Sequence, residues 1–226
     1  MENRLKRRVL TACVFLACLM PFIFLLAKGA MGNLGPNPVS DITQDTGVWT
    51  LRFLLITLCV TPLRKLTSWS EVIKFRRMLG LFAFFYGLFH LMTYLLLDQS
   101  FSIPDIIQDV VKRPFITAGT AGFVLMIPLA ITSTRKWIAR LGGKQWQLLH
   151  RLIYVGAIAG VLHYLWLVKA DTRRPLAYGL LLLTLLGFRG LRFVASHIES
   201  RRYLRVGRAF ADSGFTSKGR TDVTGP

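Results

Sequence analysis

Three histidines, His90, His150 and His163, lie in stretches apolar enough to span a bilayer, and none has an obvious carboxylate partner. Ionisable groups are costly in hydrocarbon and are kept there for function, and neutral imidazole is a common metal ligand. In helical bundles the commonest such metal is haem iron, which accepts an imidazole nitrogen on each axial side. The chemistry implied is one-electron transfer across a membrane. A fourth histidine, His197, stands beside Ser196 and close to Glu199 and reads as an interfacial residue.

The elements that must position these side chains follow from composition. The chain has 226 residues, is 53% hydrophobic and has a mean hydropathy of +0.46 despite 29 Lys plus Arg. That combination describes an integral membrane protein with basic loops. The formal charge of +18 is no nucleic-acid footprint, because the basic residues sit between apolar runs instead of interleaving with exposed aromatics. About 20 apolar residues cross the hydrocarbon core. Six segments qualify, residues 9–27, 48–63, 78–97, 115–133, 148–168 and 175–194, so the expected fold is all-α, a six-transmembrane-helix bundle. The second is the weakest, with Arg52 near one end and Pro62 closing it. The first has a basic front, Arg4, Lys6, Arg7 and Arg8, but is too long for a signal-peptide core and reads as a retained span.

Lys and Arg alternate by side along the chain. The N-terminus, residues 64–77, residues 135–144 and the C-terminal tail carry nearly all of them, which places both termini in the cytoplasm. Residues 1–198 then form the membrane domain and residues 199–226 a polar cytoplasmic tail. In the second external loop, Ser102, Pro104 and Asp105 cap a short amphipathic stretch with Ile106, Ile107, Val110 and Val111, expected on the outer surface. Cys13, Cys18 and Cys59 fall inside spans with no metal or disulfide spacing. No internal repeat is visible.

With this orientation His90 lies 13 residues beyond Arg77 on the third span, and His163 lies 13 residues beyond His150 on the fifth. At 1.5 Å per residue each offset is roughly 20 Å, so His90 and His163 reach the same depth in the outer half of the membrane. Level imidazoles on neighbouring helices are what a bis-histidine haem requires. The plainer alternative is that each hydrogen-bonds a backbone carbonyl or a tyrosine such as Tyr86, Tyr94, Tyr154 or Tyr164. On a straight helix His150 is rotated about 140° from His163, so both can serve haem only if the helix bends. Gly156 and Gly160 lie between them and permit curvature or close helix approach.

Arg76, Arg77 and Arg151 belong to the positive-inside signal, yet guanidinium forks at helix starts also suit haem propionates or a flavin phosphate. The run Leu34-Gly35-Pro36-Asn37-Pro38 forces a turn in the first external loop. There is no Gly-rich nucleotide fingerprint, nucleophile triad or zinc motif, so electrons must reach this chain from another protein or a lipid-soluble donor.

Together these residues resemble the haem-binding membrane subunits of the bacterial methionine-sulfoxide reductase system, the MsrQ (YedZ) family, within the ferric reductase-like transmembrane superfamily. The resemblance rests on LGPNPV at 34–39, Thr46-Gly47 with Trp49 and Leu51, TPLR at 61–64, RRMLGL at 76–81, WQLLHRLIY at 146–154, and His163, Tyr164 and Trp166. It implies haem b, one or two per chain, and FMN, with the quinone pool or a cytoplasmic flavin reductase as donor. It further implies the periplasmic molybdopterin enzyme MsrP as the partner that reduces methionine sulfoxide, and the bacterial inner membrane as location. Two-haem members carry histidine pairs on the third and fifth spans. His150 and His163 match the fifth-span pair and His90 the outer third-span ligand, while the inner third-span position falls at Arg76 or Arg77. Two other readings stay open at this point: a self-contained ferric or quinone reductase, and a non-redox membrane protein with hydrogen-bonded histidines.

Overall fold

The computed structural model describes residues 2–215, except for the side chains of residues 2, 3, 70, 196, 197 and 199–215, so His197 and much of the expected tail lie outside the described side chains. The described residues are helical, without strands: α1 (Glu2–Ala30), α2 (Pro38–Thr67), α3 (Arg76–Thr93), α4 (Ile103–Lys112), α5 (Pro114–Ile131), α6 (Arg135–Leu141), α7 (Gly143–Leu149), α8 (Leu152–Leu167) and α9 (Arg173–Phe215). Six helical stretches are long and apolar enough to cross a membrane: Arg4–Ala30, Pro38–Thr67, Glu71–Asp98, Pro114–Ile131, Gly143–Leu167 and Arg173–Ala195. The chain is a multi-pass membrane protein. Many of its large apolar side chains, such as Phe24, Leu96, Val124 and Leu183, point outward, as lipid rather than water requires.

Two compact units divide the chain, Met1–Leu185 and Leu186–Pro226. The second consists, in its described part, of the continuation of α9, where Arg192 lies over the ring of Phe188. The first contains all the other helices and is built mainly from two tightly packed pairs, α2 with α3 and α5 with α8.

Helix α2 begins where the sequence demands a turn. Asn37 caps it by accepting a hydrogen bond from the Ser40 amide at 3.1 Å, Pro38 opens the first turn, and the Asp41 carboxylate reaches back to the Gly35 amide at 2.7 Å. The helix does not stop at Pro62 but runs on to Thr67 and ends at Ser68 in the left-handed conformation. Proline removes a single ladder bond, and burial of Val60 and Pro62 against the core holds the helix together on both sides of it. This length puts Arg52 mid-helix rather than near an end. Its Nε donates to the Tyr178 hydroxyl at 3.0 Å, and its guanidinium lies over Trp49.

Between α2 and α3 runs a ladder of aromatic rings: Phe53 stacks on Tyr86 at 5.2 Å and on Phe82 at 5.8 Å. Tyr86 also locks α1 in place. Its hydroxyl donates to the Cys18 carbonyl at 2.9 Å and accepts from the Phe22 amide at 3.0 Å, so it is inserted into one rung of α1 beside Pro21. Proline has already disrupted that turn, and the tyrosine re-satisfies its backbone.

Helix α4 turns its polar side inward. Asp109 accepts hydrogen bonds from Tyr94 and Gln99 and pairs with Arg113, while Ile103, Ile107 and Val111 form an exposed apolar stripe. Of the four apolar residues expected on this stretch, Ile106 and Val110 are only half-exposed, because the polar anchor at Asp109 sets the helix rotation.

Candidate metal centre

His90 comes from the last turn of α3 and His163 from the last turns of α8. The structure brings them together: their ring centroids are 5.9 Å apart and their planes cross at 79°. A first-row metal bound to both imidazoles at about 2 Å per bond would sit between rings whose centroids are about 6 Å apart. Spacing on the two helices therefore does what depth alone suggested.

Each imidazole is oriented through its Nδ1, which lies 2.8 Å from the Thr43 carbonyl for His90 and 2.6 Å from the Phe115 carbonyl for His163. A carbonyl only accepts, so in both rings Nδ1 carries the proton and Nε2 keeps its lone pair. Among the described residues neither Nε2 has a hydrogen-bond partner. The two readings weighed from sequence thus coincide, since the carbonyl contact occupies one nitrogen and exposes the other for a metal. Tyr86 plays no part, being committed to α1.

The helices behind the rings carry glycine where the imidazoles lie. A Cβ on Gly47 would come within 2.9 Å of the His90 ring, and one on Gly119 within 2.7 Å of the His163 ring. The half-buried rings, the free Nε2 atoms and these two glycine cradles fit a bis-imidazole-bound planar group.

His150 is placed differently. The fifth span is not one helix: α7 ends at Leu149, His150 and Arg151 form a turn, and α8 starts at Leu152. This break, rather than curvature at Gly156 and Gly160, relieves the rotation expected of a straight helix. Those glycines instead allow close approach to α5, where a Cβ on Gly122 would meet the Gly156 carbonyl at 3.4 Å and Ala159 at 3.3 Å. The His150 ring stacks on Trp146 at 3.8 Å, its Nδ1 lies 3.0 Å from the Trp146 carbonyl, and its buried Nε2 makes no well-formed hydrogen bond, although the Leu129 carbonyl lies close to the ring. Trp146 is itself fixed by donating its Nε1 hydrogen to the Thr132 carbonyl at 2.9 Å. Arg76 is half-buried within electrostatic reach of His150, whereas Arg77 and Arg151 are exposed. Sequence reasoning missed the contributions of Thr43, Gly47, Phe115, Gly119 and Trp146. The signal available for the first four was a glycine four residues beyond a helix position facing a histidine, which has meaning only once helix partners are known.

The family of ferric reductase-like transmembrane components matches this chain over residues 46–161, which includes His90 and His150 and ends just before His163. Similar curated proteins include one from Herminiimonas arsenicoxydans, 50% identical over 79% of this chain and 83% of its own length. Another, from Azospira oryzae, is 51% identical over 79% of this chain and 77% of its own. A third, from Rhodospirillum rubrum, is 49% identical over 87% of this chain and 91% of its own. All three are named protein-methionine-sulfoxide reductase heme-binding subunit MsrQ. Similarity of this extent, together with six spans and a paired-histidine centre inside the packed helices, makes the chain a member of the MsrQ family of ferric reductase-like membrane proteins.

Proposed function

We propose that this chain is a b-type cytochrome subunit that carries electrons through the bacterial inner membrane to a periplasmic protein-methionine-sulfoxide reductase. The observation that carries this reading is the His90 and His163 pair, with rings 5.9 Å apart, each Nδ1 tied to a carbonyl and each Nε2 left as a donor. His90 and His163 would hold the haem iron through Nε2. Iron held there supplies one-electron exchange between its ferric and ferrous states. The protein's share is to fix both imidazoles before the iron arrives, to keep their tautomer, and to surround the pair with apolar side chains that set the potential.

Both termini lie in the cytoplasm in this reading, so the histidine pair faces the periplasmic half, where a molybdopterin enzyme of the MsrP type takes the electrons. Sulfoxide chemistry belongs to that partner. Electrons arrive from the quinone pool or from a cytoplasmic flavin donor. The buried Nε2 of His150, which makes no well-formed hydrogen bond, supports a role as ligand to a second haem, and by the family resemblance the opposing histidine position falls at Arg76 or Arg77. Arg76, Arg77 and Arg151 are the donors for a propionate or for an FMN phosphate at the cytoplasmic side.

The test is the reduced-minus-oxidised visible spectrum of the purified full chain with a pyridine haemochrome assay. A b-type, six-coordinate spectrum with one or two haems per chain is the expected result. Protein without haem after haem-replete expression would overturn the reading and favour a non-redox membrane protein.

A further inference from the structure

The two histidines are held by the same device used twice. On α2, Thr43 presents its carbonyl to His90 and Gly47, four residues on, receives the ring; on α5, Phe115 presents its carbonyl to His163 and Gly119, again four residues on, receives the ring. The chain separations from carbonyl to histidine are 47 and 48 residues. The helix pairs α2–α3 and α5–α8 thus hold their histidines with the same local arrangement, a carbonyl and a glycine four residues apart. Four residues is just over one helical turn, so the carbonyl and the glycine lie on one face of the supporting helix.

We propose that Gly47 and Gly119 are positioning residues for the axial histidines, setting the direction of each Nε2 and the angle between the two imidazole planes. The inference rests on the bis-histidine reading above and adds the residues that determine its geometry. The distances support it. An added Cβ would lie 2.9 Å from Cε1 and 3.0 Å from Nδ1 of His90, and 2.7 Å from Nδ1, 3.0 Å from Cε1 and 3.1 Å from Cγ of His163. Neither ring can yield as a flexible chain end would, because the atom crowded in each case is the nitrogen bonded to a carbonyl, or its neighbour in the ring. An alanine methyl displaces the ring, loosens the Nδ1–H···O bond and turns Nε2 away from its aim. Other glycines of this bundle face atoms other than an imidazole: a Cβ on Gly122 would meet Ala159 at 3.3 Å and the Gly156 carbonyl at 3.4 Å, and one on Gly179 would make only ordinary contact with Val161 at 3.5 Å. Glycine at 47 and 119 thus serves the ligands, whereas glycine at 122 serves helix packing.

The experiment compares Gly47→Ala, Gly119→Ala and the packing control Gly122→Ala in full-length protein. Detergent-solubilised yield and monodispersity report folding, haemochrome assay reports haem retention, and ferric low-spin electron paramagnetic resonance reports the ring planes. Imidazole planes crossed at 79° correspond to a strongly anisotropic low-spin signal in the wild type. Expected for each of the first two variants is a folded protein whose haem retention is roughly 10- to 100-fold weaker and whose remaining signal is altered in anisotropy. Gly122→Ala should keep the wild-type signal. Wild-type retention and signal in both Gly47→Ala and Gly119→Ala would overturn the proposal while leaving the histidine ligands standing. So would loss of fold in both when Gly122→Ala folds, since that assigns the glycines to the bundle. If only one fails to fold, the other decides by its signal. Absence of haem from the wild type would instead sink the cytochrome reading itself.

Discussion

At His90 and His163 a single proton location decides what the residue can do. With Nδ1–H donated to Thr43 or Phe115, the remaining nitrogen is a neutral donor in an apolar site, which suits iron and no other partner among the described residues. His90→Ala and His163→Ala are each expected to abolish the six-coordinate outer haem, seen as loss of the low-spin visible spectrum. His150→Ala should retain at least one haem per chain by haemochrome assay, with a low-spin visible spectrum of the native protein, because His90 and His163 are untouched. His197→Ala should leave the spectrum unchanged. Tyr86 makes a different point. Its hydroxyl bridges Phe22 and Cys18 of α1, yet those two groups are one helical rung apart and can rejoin when it is removed. Tyr86→Phe should therefore cost only about 1 kcal/mol, in line with typical interhelical hydrogen bonds in membranes, measured as a small drop in the detergent unfolding midpoint. The histidine types and their 13-residue spacing were legible in the sequence. Their carbonyl and glycine supports were not, because Thr43 and Phe115 contribute only backbone, and backbone carries no residue signature.

At the scale of elements, apolar length located all six spans, since hydrocarbon thickness imposes it directly. Ends and interruptions were harder to read. Pro62 stands inside α2 because packing outweighs one lost backbone bond, and the fifth span breaks at His150–Arg151 without any proline to announce it. That break lets His150 leave the register of His163 and stack on Trp146. The α5–α8 contact depends instead on small residues. Gly122→Val should add bulk between Gly156 and Ala159 and destabilise the pair by roughly 1–3 kcal/mol, read as a lowered unfolding midpoint; an unchanged midpoint would mean that the helices separate freely there. Helix α4 was legible as amphipathic, but its rotation was set by Asp109 finding Tyr94, Gln99 and Arg113.

For the whole molecule, the alternation of basic and basic-poor loops predicts cytoplasmic termini, and in the proposed reading that topology sets the face a soluble partner approaches. In a background lacking Cys13, Cys18 and Cys59, Gln108→Cys is expected to react with an impermeant maleimide added outside spheroplasts, and Lys144→Cys only after permeabilisation. The reverse pattern would overturn the cytoplasmic placement of both termini. What the sequence by itself determined is the membrane class, the number of spans, the likeness to haem-binding subunits and the identity of the paired histidines, because hydropathy and residue type act locally along the chain. What only the tertiary structure decided is that α2 supports the histidine on α3 and α5 supports the histidine on α8, through a carbonyl and a glycine each time. Such a device exists only between helices, so its physical cause, the close approach of a ring to a backbone without a Cβ, is absent from either segment alone.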